Sequence, residues 1–318
     1  MRPCGRKRWY YTRNPNIHKQ SSVNHTGSTI NSSEPAVIAR SRHPITRANI
    51  SPNALKVLYR LKDAGYHGYL VGGGVRDLLL GREPKDFDIA TDAHPEDVRR
   101  LFRNCRLIGR RFRLAHVLFG REVIEVATFR ALQEEVQDSN EERHIDAEGR
   151  IVRDNVYGSI AEDAFRRDFT VNALYYSIKD FSVIDYVGGM DDLNAGVLRL
   201  IGDPGTRYRE DPVRMLRAMR FATKLGFRLH PDTERPVKAL APLLGDIPPA
   251  RLFDEMLKLF MGGYALANFE ALRHYNLFGL LFPLTEQALT HEEEHFPLTL
   301  ISHGMENTDT RIEQGKPV

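Results

Sequence analysis

Residues 69–91 read YLVGGGVRDLLLGREPKDFDIAT. The first three are a short apolar run typical of a buried strand, and Val75–Leu80 has helical character that Gly81 can end. Three glycines separate the two: Gly72, Gly73 and Gly74. Glycine lets a backbone turn sharply or approach a ligand closely, and the N–H groups of a helix N-terminus point outward. This half of the stretch therefore predicts an anion-binding turn.

The second half of the stretch carries two aspartates. Asp86–Ala90 reads as a strand, and side-chain alternation places Asp86 and Asp88 on the same side of it. Two carboxylates on one face repel each other unless a divalent cation lies between them, and Mg²⁺ prefers one or two carboxylates with phosphate oxygens and water. The pair predicts a metal site suited to two-metal transfer of a nucleotidyl group.

Each half alone has an ordinary alternative. A glycine triplet before a helix is often a plain turn, and a lone Asp-x-Asp pair is often a solvated strand face. The glycines lack the Gly-x-Gly-x-x-Gly spacing of a dinucleotide-binding turn, which argues against an oxidoreductase. Because both halves lie within one short unit, together they favour phosphate and metal binding.

Two motifs in this unit, GGVRD at Gly73–Asp77 and DFD at Asp86–Asp88, carry a family resemblance. They resemble the class II nucleotidyltransferases of the polymerase-β superfamily, which comprise the tRNA CCA-adding enzymes and the bacterial poly(A) polymerases. The resemblance runs from about Ile50 to about Leu284 in unbroken motif order. It implies an α+β fold, with a polymerase-β-like nucleotidyltransferase head of mixed β-sheet and helices followed by an all-helical neck and body.

The resemblance also implies an activity. AMP from ATP would be added to RNA 3′ ends without a template, and pyrophosphate would be released. Asp86 and Asp88 would hold two Mg²⁺ ions, while the three glycines and Arg76 would cradle phosphate. RNA 3′ ends and ATP are the implied partners, and RNA-decay proteins are candidate protein partners. The alternatives are tRNA CCA addition and a non-catalytic RNA-binding remnant.

Composition and motif order divide the chain into four predicted regions. They are a disordered basic arm (1–48), a catalytic head (49–203), a helical neck that binds RNA (204–284) and a truncated C-terminal remnant (285–318). Met1–Ser33 has no acidic residue and few aliphatic ones, which is typical of a disordered tail. A targeting peptide and an RNA-attracting arm are the alternatives for it. Ala288–Val318 is polar and weakly periodic, so we expect a C-terminally truncated product.

Cysteine content and hydropathy limit the class of protein. Cys4 and Cys105 are the only cysteines, which excludes a disulfide framework and a cysteine metal cluster. No run is long and apolar enough to span a membrane, and no secretory signal is visible. These features predict a cytoplasmic protein.

A basic segment follows the glycine and aspartate motifs. Arg99–Arg121 contains eight arginines and no acidic residue, and arginine without lysine favours bidentate phosphate contacts over a merely solvated face. Within it, Leu107–Val117 resembles the element that separates bacterial poly(A) polymerases from CCA-adding enzymes. The resemblance depends on Arg110, Arg111 and Phe112, and it argues against CCA addition.

A third carboxylate is predicted on the next β-rich run. In Glu122–Arg130, Ile124 and Val126 would point into the core, so Glu125 would face the opposite side, toward Asp86 and Asp88. In this superfamily such a residue helps to activate the primer hydroxyl, whereas the alternative is an ordinary surface glutamate. The following residues, 131–150, are polar and without period, which predicts a mobile loop.

A helix is predicted to begin at Ser159, because Ser159 and Glu162 form a capping box. The helix is predicted to carry Arg166, Arg167 and Asp168. These residues open RRDFTVNA, residues 166–173, which resembles the family's RRDxxxNA motif. The resemblance implies that Arg167 neutralises triphosphate charge, that Asp168 orients this arginine or the ribose, and that Asn172 contacts ribose or phosphate. Without the resemblance, the same residues would read as solvated surface.

A possible base-reading pair opens the helical region. Asp211 and Arg214 are three residues apart, which predicts that they share one helix face. The plain interpretation is an intrahelical salt bridge. The resemblance implies instead that the pair reads the incoming base, since an Asp acceptor and an Arg donor match adenine or cytosine. Such a pair excludes G and U more readily than it separates ATP from CTP.

Overall fold

The computed structural model describes residues 34–109, 113–132, 143–145, 151–154, 156–290 and 296–318. We call residues 34–203 the sheet region and residues 204–318 the helical region. The strands and helices of the sheet region are β1 (Ala36–Ile38), α1 (Pro52–Asp63), β2 (Gly68–Val71), α2 (Gly73–Leu79), β3 (Asp88–Thr91), α3 (Pro95–Leu101), β4 (Cys105–Ile108), β5 (Leu114–Phe119), β6 (Glu122–Thr128), β7 (Arg143–Ile145), β8 (Ile151–Asp154), α4 (Ile160–Arg166), β9 (Leu174–Ser177), β10 (Val183–Asp185), α5 (Gly189–Ala195) and β11 (Val197–Leu198).

The helical region consists mainly of helices joined by short turns. Its elements are α6 (Pro204–Glu210), α7 (Val213–Leu225), β12 (Arg228–Leu229), α8 (Pro231–Glu234), α9 (Val237–Leu240), α10 (Pro249–Phe260), α11 (Ala265–His274), α12 (Phe278–Leu281), α13 (Pro283–Thr290) and α14 (Phe296–Glu313). Here α7 packs against α10 and α11, and α11 packs against α14. Met215 and Met219 face this packing and are buried, as the sequence predicts.

Within the described residues, eight strands form one mixed sheet in the order β1-β10-β9-β2-β3-β6-β5-β4. The pairing of β3 with β6 is parallel, and the other six pairs of the sheet are antiparallel. Two small pairs lie outside it, β7 with β8 and β11 with β12. The parallel pair places Asp88 of β3 directly opposite Glu125 of β6.

Hydrophobic clusters lie on both faces of the sheet. Leu70, Ile89 and Ile124 point to one face and join α1 and α3 in the main core. Val71 and Tyr175 point to the other face, in a smaller cluster that includes Ala164 of α4. Successive residues such as Leu70 and Val71 therefore enter different clusters, because side chains alternate between the two faces of a sheet.

Helix α1 begins as its sequence predicts. The Ser51 hydroxyl accepts the N–H of Asn53 at 3.1 Å, and Pro52 occupies the first helical position. The sequence predicts an exposed Glu122 at a turn, but its carboxylate accepts the Ser51 hydroxyl and, at 2.6 Å, the Asn53 side-chain amide. Glu122 therefore fixes the start of β6 to the start of α1.

Two regional predictions differ from the structure. The arm predicted over residues 1–48 is too long, because Ala36–Ile38 pairs with β10 as the edge strand of the sheet; residues 1–33 lie outside the described residues. The loop predicted over residues 131–150 is wrong at Arg143–Ile145, which pairs with β8. A three-residue strand shows no period of its own, so only its partner reveals it.

The predicted C-terminal remnant also contains regular structure. Helices α13 and α14 span residues 283–290 and 296–313. The Asp309 carboxylate accepts the backbone N–H of Ala265 at 2.6 Å and of Leu266 at 3.2 Å, at the N-terminus of α11. A carboxylate there satisfies N–H groups that the helix leaves unpaired and complements its dipole. Within the described residues, no helix combines the length and the apolarity needed to cross a membrane.

Candidate active site

Asp88 and Glu125 lie opposite each other at the middle of the sheet, and Asp86 is near enough to raise the pKa of Asp88. We call Asp86, Asp88 and Glu125 the carboxylate centre. Asp88 is the first residue of β3 and lies opposite Glu125 in the register of β3 and β6. Directly opposite residues of paired strands point to the same face. Ile124 and Val126 are 0% and 2% exposed, so Glu125 faces away from the core, as the alternation predicts.

Asp86 reaches this centre by a different route from the predicted one. The strand predicted over Asp86–Ala90 begins only at Asp88, so strand alternation does not explain where Asp86 lies. Asp86 is exposed in the segment before β3. A Cβ at Gly74 would lie 3.2 Å from the Asp86 backbone oxygen, so the missing side chain lets α2 pack against this segment.

The charges of the carboxylate centre act on one another. Partial burial, together with the nearby Glu125 and Asp86 carboxylates, raises the pKa of Asp88 to about 6 against the opposing effects of Arg167 and His116. An elevated pKa means that the ionised form is under-compensated by positive charge. The site therefore favours a cation.

The residues of the carboxylate centre fit magnesium. Mg²⁺ is bound through one or two carboxylates and keeps water or substrate phosphate in its remaining positions. Asp86 and Asp88 supply two such carboxylates, and the raised pKa of Asp88 shows negative charge that a divalent cation would neutralise. A complete set of three or more His, Cys, Asp or Glu ligands does not occur among the described residues. A magnesium ion held by these carboxylates would therefore keep coordination positions for phosphate oxygens or water.

The raised pKa of Asp88 predicts that stability depends on pH when divalent cations are absent. The folded pKa of about 6 lies above the ordinary value of 3.8, so the folded state binds the proton more tightly. This stabilisation is present below about pH 4 and is lost as the pH rises through about 6. We expect urea unfolding in EDTA to show the unchanged chain losing about 1–2 kcal/mol relative to Asp88→Asn between pH 4.5 and 7.5. An identical pH dependence in both proteins would contradict the assignment.

Gly72 brings the backbone close to both signs of charge. Its φ of +74° is in the region that favours glycine. A Cβ at this position would lie 3.6 Å from Nη1 of Arg167 and 3.8 Å from Oδ2 of Asp88. Gly72 thus keeps the backbone within van der Waals distance of both the arginine and the carboxylate.

Arg167 is held rigidly beside Gly72. Its Nη2 donates to Oδ2 of Asp163 at 2.9 Å, and its Nε donates to the Tyr175 hydroxyl at 3.0 Å. Burial of the guanidinium is outweighed by Tyr175 and Asp163, so its pKa is raised and it stays charged. Nη1 faces Gly72. The sequence places Arg167 in a helix, but α4 ends at Arg166 and Arg167 follows it.

Arg76 lies in the interior rather than on the open surface. It is 2% exposed. Its Nε donates to Oδ1 of Asp77 at 2.9 Å, and its Nη1 donates to Oδ1 of Asn172 at 2.6 Å. A Cβ at Gly73 would lie 3.4 Å from Nη2 of Arg76. The Arg76 guanidinium, for which the sequence predicts phosphate binding, is therefore buried and not accessible to a nucleotide in this structure.

Asn172 and Asp168 continue the same set of contacts. The Asn172 amide donates to Oδ1 of Asp168 at 3.3 Å, and Nε of Arg217 in α7 donates to Oδ2 of Asp168 at 3.0 Å. Despite burial, the Arg217 guanidinium holds the pKa of Asp168 below its ordinary value. We call Asp77, Arg76, Asn172, Asp168 and Arg217 the buried polar network. Asp168 thus binds Arg217 instead of the predicted Arg167.

An aromatic ring supports this network. The guanidinium carbons of Arg76 and Arg217 lie 5.5 Å and 5.4 Å from the centre of the Phe221 ring, and that of Arg220 lies 4.5 Å from it. Cations at such distances are attracted to the face of an aromatic ring. Since Arg76 belongs to α2 and Phe221 to α7, the ring joins the sheet region to the helical region.

Asp211 and Arg214 do not share a helix. Helix α6 ends at Glu210 and α7 begins at Val213, because Pro212 between them has no N–H for a continuous helix. The alternative salt bridge is also wrong. Asp211 accepts Nη2 of Arg251 at 2.6 Å, whereas Arg214 donates to Glu210 at 2.9 Å.

Three residues of this region were not identified from the sequence. Arg207 donates through Nη2 to the backbone oxygens of Arg166 and Arg167, both at 2.7 Å, so it positions the backbone beside the guanidinium that faces Gly72. Arg217 binds Asp168, and His116 lies opposite Glu125 on β5. Strand alternation could have revealed His116. Arg207 and Arg217 depend on partners 40 to 49 residues away and leave no local signal.

The segment Arg110–Phe112 lies outside the described residues. On either side of it, Ile108 of β4 pairs with Leu114 of β5, and β5 pairs with β6.

Two family models match the chain. Residues 68–199 match the poly A polymerase head domain, and residues 226–289 match a model described as a probable RNA and SrmB-binding site of polymerase A. The first match includes the carboxylate centre and Arg167. The second match covers α8–α12 and nearly all of α13.

Curated relatives of two kinds are similar to the chain. Poly(A) polymerase I of Salmonella typhi is 58% identical over 87% of the chain and 59% of the relative, and that of Haemophilus influenzae is 52% identical over 87% and 61%. A CCA-adding enzyme of Lactobacillus helveticus is 38% identical over 68% of the chain and 52% of the relative. The chain thus spans about three fifths of the length of the poly(A) polymerases that it matches.

Solved structures share the fold. The Bacillus stearothermophilus CCA-adding enzyme in complex with CTP superposes with a TM-score of 0.59, at 37% identity over 72% of this chain and 53% of that chain. The Thermotoga maritima CCA-adding enzyme complexed with tRNA gives a TM-score of 0.59 at 27% identity, over 78% of this chain and 56% of that chain. The sheet region therefore has the nucleotidyltransferase fold, and the predicted α+β class is confirmed.

Proposed function

The chain belongs to the nucleotidyltransferase family of the poly(A) polymerases, and we propose that it transfers AMP from ATP to RNA 3′ ends without a template and releases pyrophosphate. The observation that carries this proposal is the carboxylate centre beside Gly72 and Arg167, where a metal–nucleotide complex finds both negative and positive partners. Polyadenylation is preferred to CCA addition because the poly(A) polymerases are 52–58% identical and the CCA-adding enzyme is 38% identical to this chain.

Asp86 and Asp88 are the residues that would hold two Mg²⁺ ions. When bound, magnesium lowers the pKa of a primer hydroxyl and stabilises the charge of the triphosphate and the leaving pyrophosphate. Glu125 faces the same side as Asp88 and would accept a hydrogen bond from the primer 3′-hydroxyl. The primer 3′-hydroxyl would thus be oriented by the magnesium that Asp88 holds and by Glu125.

The triphosphate would lie between Gly72 and Arg167. Nη1 of Arg167 faces this space, and Asp163 with Tyr175 fixes the rest of the guanidinium, so little reorganisation is needed when negative charge develops. The absent side chain of Gly72 admits a phosphate oxygen close to the backbone. Arg76, Asn172 and Asp168 support these groups from the interior rather than by contact with the nucleotide.

The base would be read by Asp211 and Arg214, which supply an acceptor and a donor. Arg251 donates to the Asp211 carboxylate, and Glu210 accepts from the Arg214 guanidinium, so both side chains are held in place. An adenine amine beside a ring nitrogen matches the pair, and so does cytosine. Because this pair matches both bases, other groups must select ATP over CTP. For the helical region we propose binding of the RNA 3′ end, supported by the match of residues 226–289 to an RNA-binding model. The same description names SrmB, which supports a proposed protein partner for this region.

A primer-extension assay tests the activity. With Mg²⁺ and a labelled RNA primer, we expect this chain to add a ladder of A residues from ATP and about ten times less C from CTP, a difference of about 1.4 kcal/mol. Addition of two C residues and one A to a tRNA that lacks its end, without further A, would establish CCA addition instead. If RNA binds but neither nucleotide is added, the chain is a non-catalytic RNA-binding protein.

A further inference from the structure

His116 lies against the carboxylate centre, on the strand next to Glu125. Its Nε2 is 3.3 Å from Oε2 of Glu125. The flanking Ala115 and Val117 of β5 are fully buried, so His116 points to the opposite face of the sheet. The register pairs His116 with Glu125 and Glu125 with Asp88. Three neighbouring strands therefore place an aspartate, a glutamate and a histidine in one row.

The surroundings of Glu125 explain why a partner matters. Its side chain is 40% exposed and that of His116 is 25% exposed. A half-exposed glutamate samples several rotamers, and fixing one of them costs conformational entropy. On one side, the Asp88 carboxylate lies opposite Glu125 and repels it. On the other side, His116 is the neighbour that can donate a hydrogen bond to it.

Resting on the function proposed above, we propose that His116 is a positioning residue for AMP transfer. Its Nε2–H donates to Oε2 of Glu125 and fixes the carboxylate in the rotamer in which Oε1 faces the primer 3′-hydroxyl. His116 itself touches neither nucleotide nor metal. The arginine-rich segment that contains it thus contributes to the carboxylate centre through a histidine as well as through charge.

A second explanation exists for a histidine at this place. Arg106 of β4 lies opposite His116 on its other side, so His116 and Arg106 could form a surface for RNA phosphates. The two explanations differ in their consequences. A positioning residue acts only while Glu125 is present and changes the rate of transfer, whereas a phosphate contact acts without Glu125 and changes the affinity for RNA.

A double-mutant cycle separates them. We would measure kcat and the KM values for ATP and RNA primer for the unchanged chain, His116→Ala, Glu125→Gln and the double variant. We expect His116→Ala to lower kcat about 5- to 30-fold with both KM values within about twofold. The double variant should be no slower than Glu125→Gln alone, because the histidine then has no carboxylate to position. His116→Gln, which keeps a side-chain N–H donor, should recover most of the loss.

Two controls protect the interpretation. The unfolding midpoint of His116→Ala should stay within about 2 °C of that of the unchanged chain, since the side chain is partly exposed. His67→Ala removes a histidine from another histidine–carboxylate pair, with Asp92 at 2.7 Å on the surface, and should leave kcat unchanged.

Each other outcome overturns the proposal. Effects of His116→Ala and Glu125→Gln that multiply would show independent action. A raised KM for RNA with an unchanged kcat would identify a phosphate contact, and an unchanged kcat and KM would show that the histidine has no role. An unchanged chain that adds no AMP would overturn the proposed function itself, and this is seen before any variant is compared.

Discussion

Asp88→Asn is expected to lower the rate of AMP transfer about a thousandfold, and Asp86→Asn to have a similar effect. Each variant removes one of the two carboxylates assigned to magnesium, and a loss of roughly 4 kcal/mol of transition-state stabilisation corresponds to such a factor. The fold should be retained. Asp88→Asn should even be more stable than the unchanged chain at pH 7.5 without metal, because it removes a carboxylate whose ionised form is disfavoured by burial and by Glu125.

Binding of the metal can be followed apart from catalysis. Magnesium should raise the unfolding midpoint of the unchanged chain, since a ligand that binds only the folded state stabilises it, and should have no effect on Asp86→Asn or Asp88→Asn. Glu83→Gln is a matched control, because Glu83 is an exposed acidic residue of the same loop as Asp86. Retained activity in an Asp86→Asn/Asp88→Asn double variant would rule out the carboxylate centre as the site of transfer.

Asp168→Ala is expected to cost about 2–4 kcal/mol of folding free energy. It leaves Arg217, one-third exposed, without the carboxylate that it binds, and removes the acceptor of the Asn172 amide. Loss of one partner from a fully buried ion pair costs about 3–5 kcal/mol, and the exposure of Arg217 reduces this figure. Urea unfolding at pH 7.5 measures the change. Transfer should fall as well, because Asp168 follows Arg167 directly in the chain.

The comparison for this experiment is an ion pair on the surface. Glu96 and Arg113 lie 2.6 Å apart with about half of each side chain exposed, so Glu96→Ala should cost less than about 1 kcal/mol. Equal losses in Asp168→Ala and Glu96→Ala would mean that the buried polar network contributes no more to stability than a solvated pair.

Local patterns predicted the centre of the fold and of the candidate site. The apolar run before the glycines formed β2, the helical run after them formed α2, and alternation placed Glu125 on the open side of β6. These features depend on residues close together in sequence, where periodicity and glycine content carry the information.

The supporting contacts were not predictable in this way. Arg76 reads as a phosphate ligand beside glycines, but its partner Asn172 is 96 residues away and holds it inside. Asp168 pairs with Arg217 over 49 residues. An arginine or aspartate can form a buried ion pair or bind a ligand at the surface. Only the packing of distant segments determines which of these two roles it has. One feature that was missed could have been predicted locally: Pro212 indicates the break between α6 and α7.

The buried polar network has a consequence for evolution by exchange of domains. Four of its members lie within residues 68–199, namely Arg76, Asp77, Asp168 and Asn172, whereas Arg217 lies beyond them in α7. A recombinant that joins this sheet region to the helical region of another relative would inherit one half of the Asp168–Arg217 pair from each parent. The inheritable unit therefore extends from the sheet region at least through α7. Because α7 also packs against α10 and α11, a crossover after Leu225 would separate a second set of packed partners.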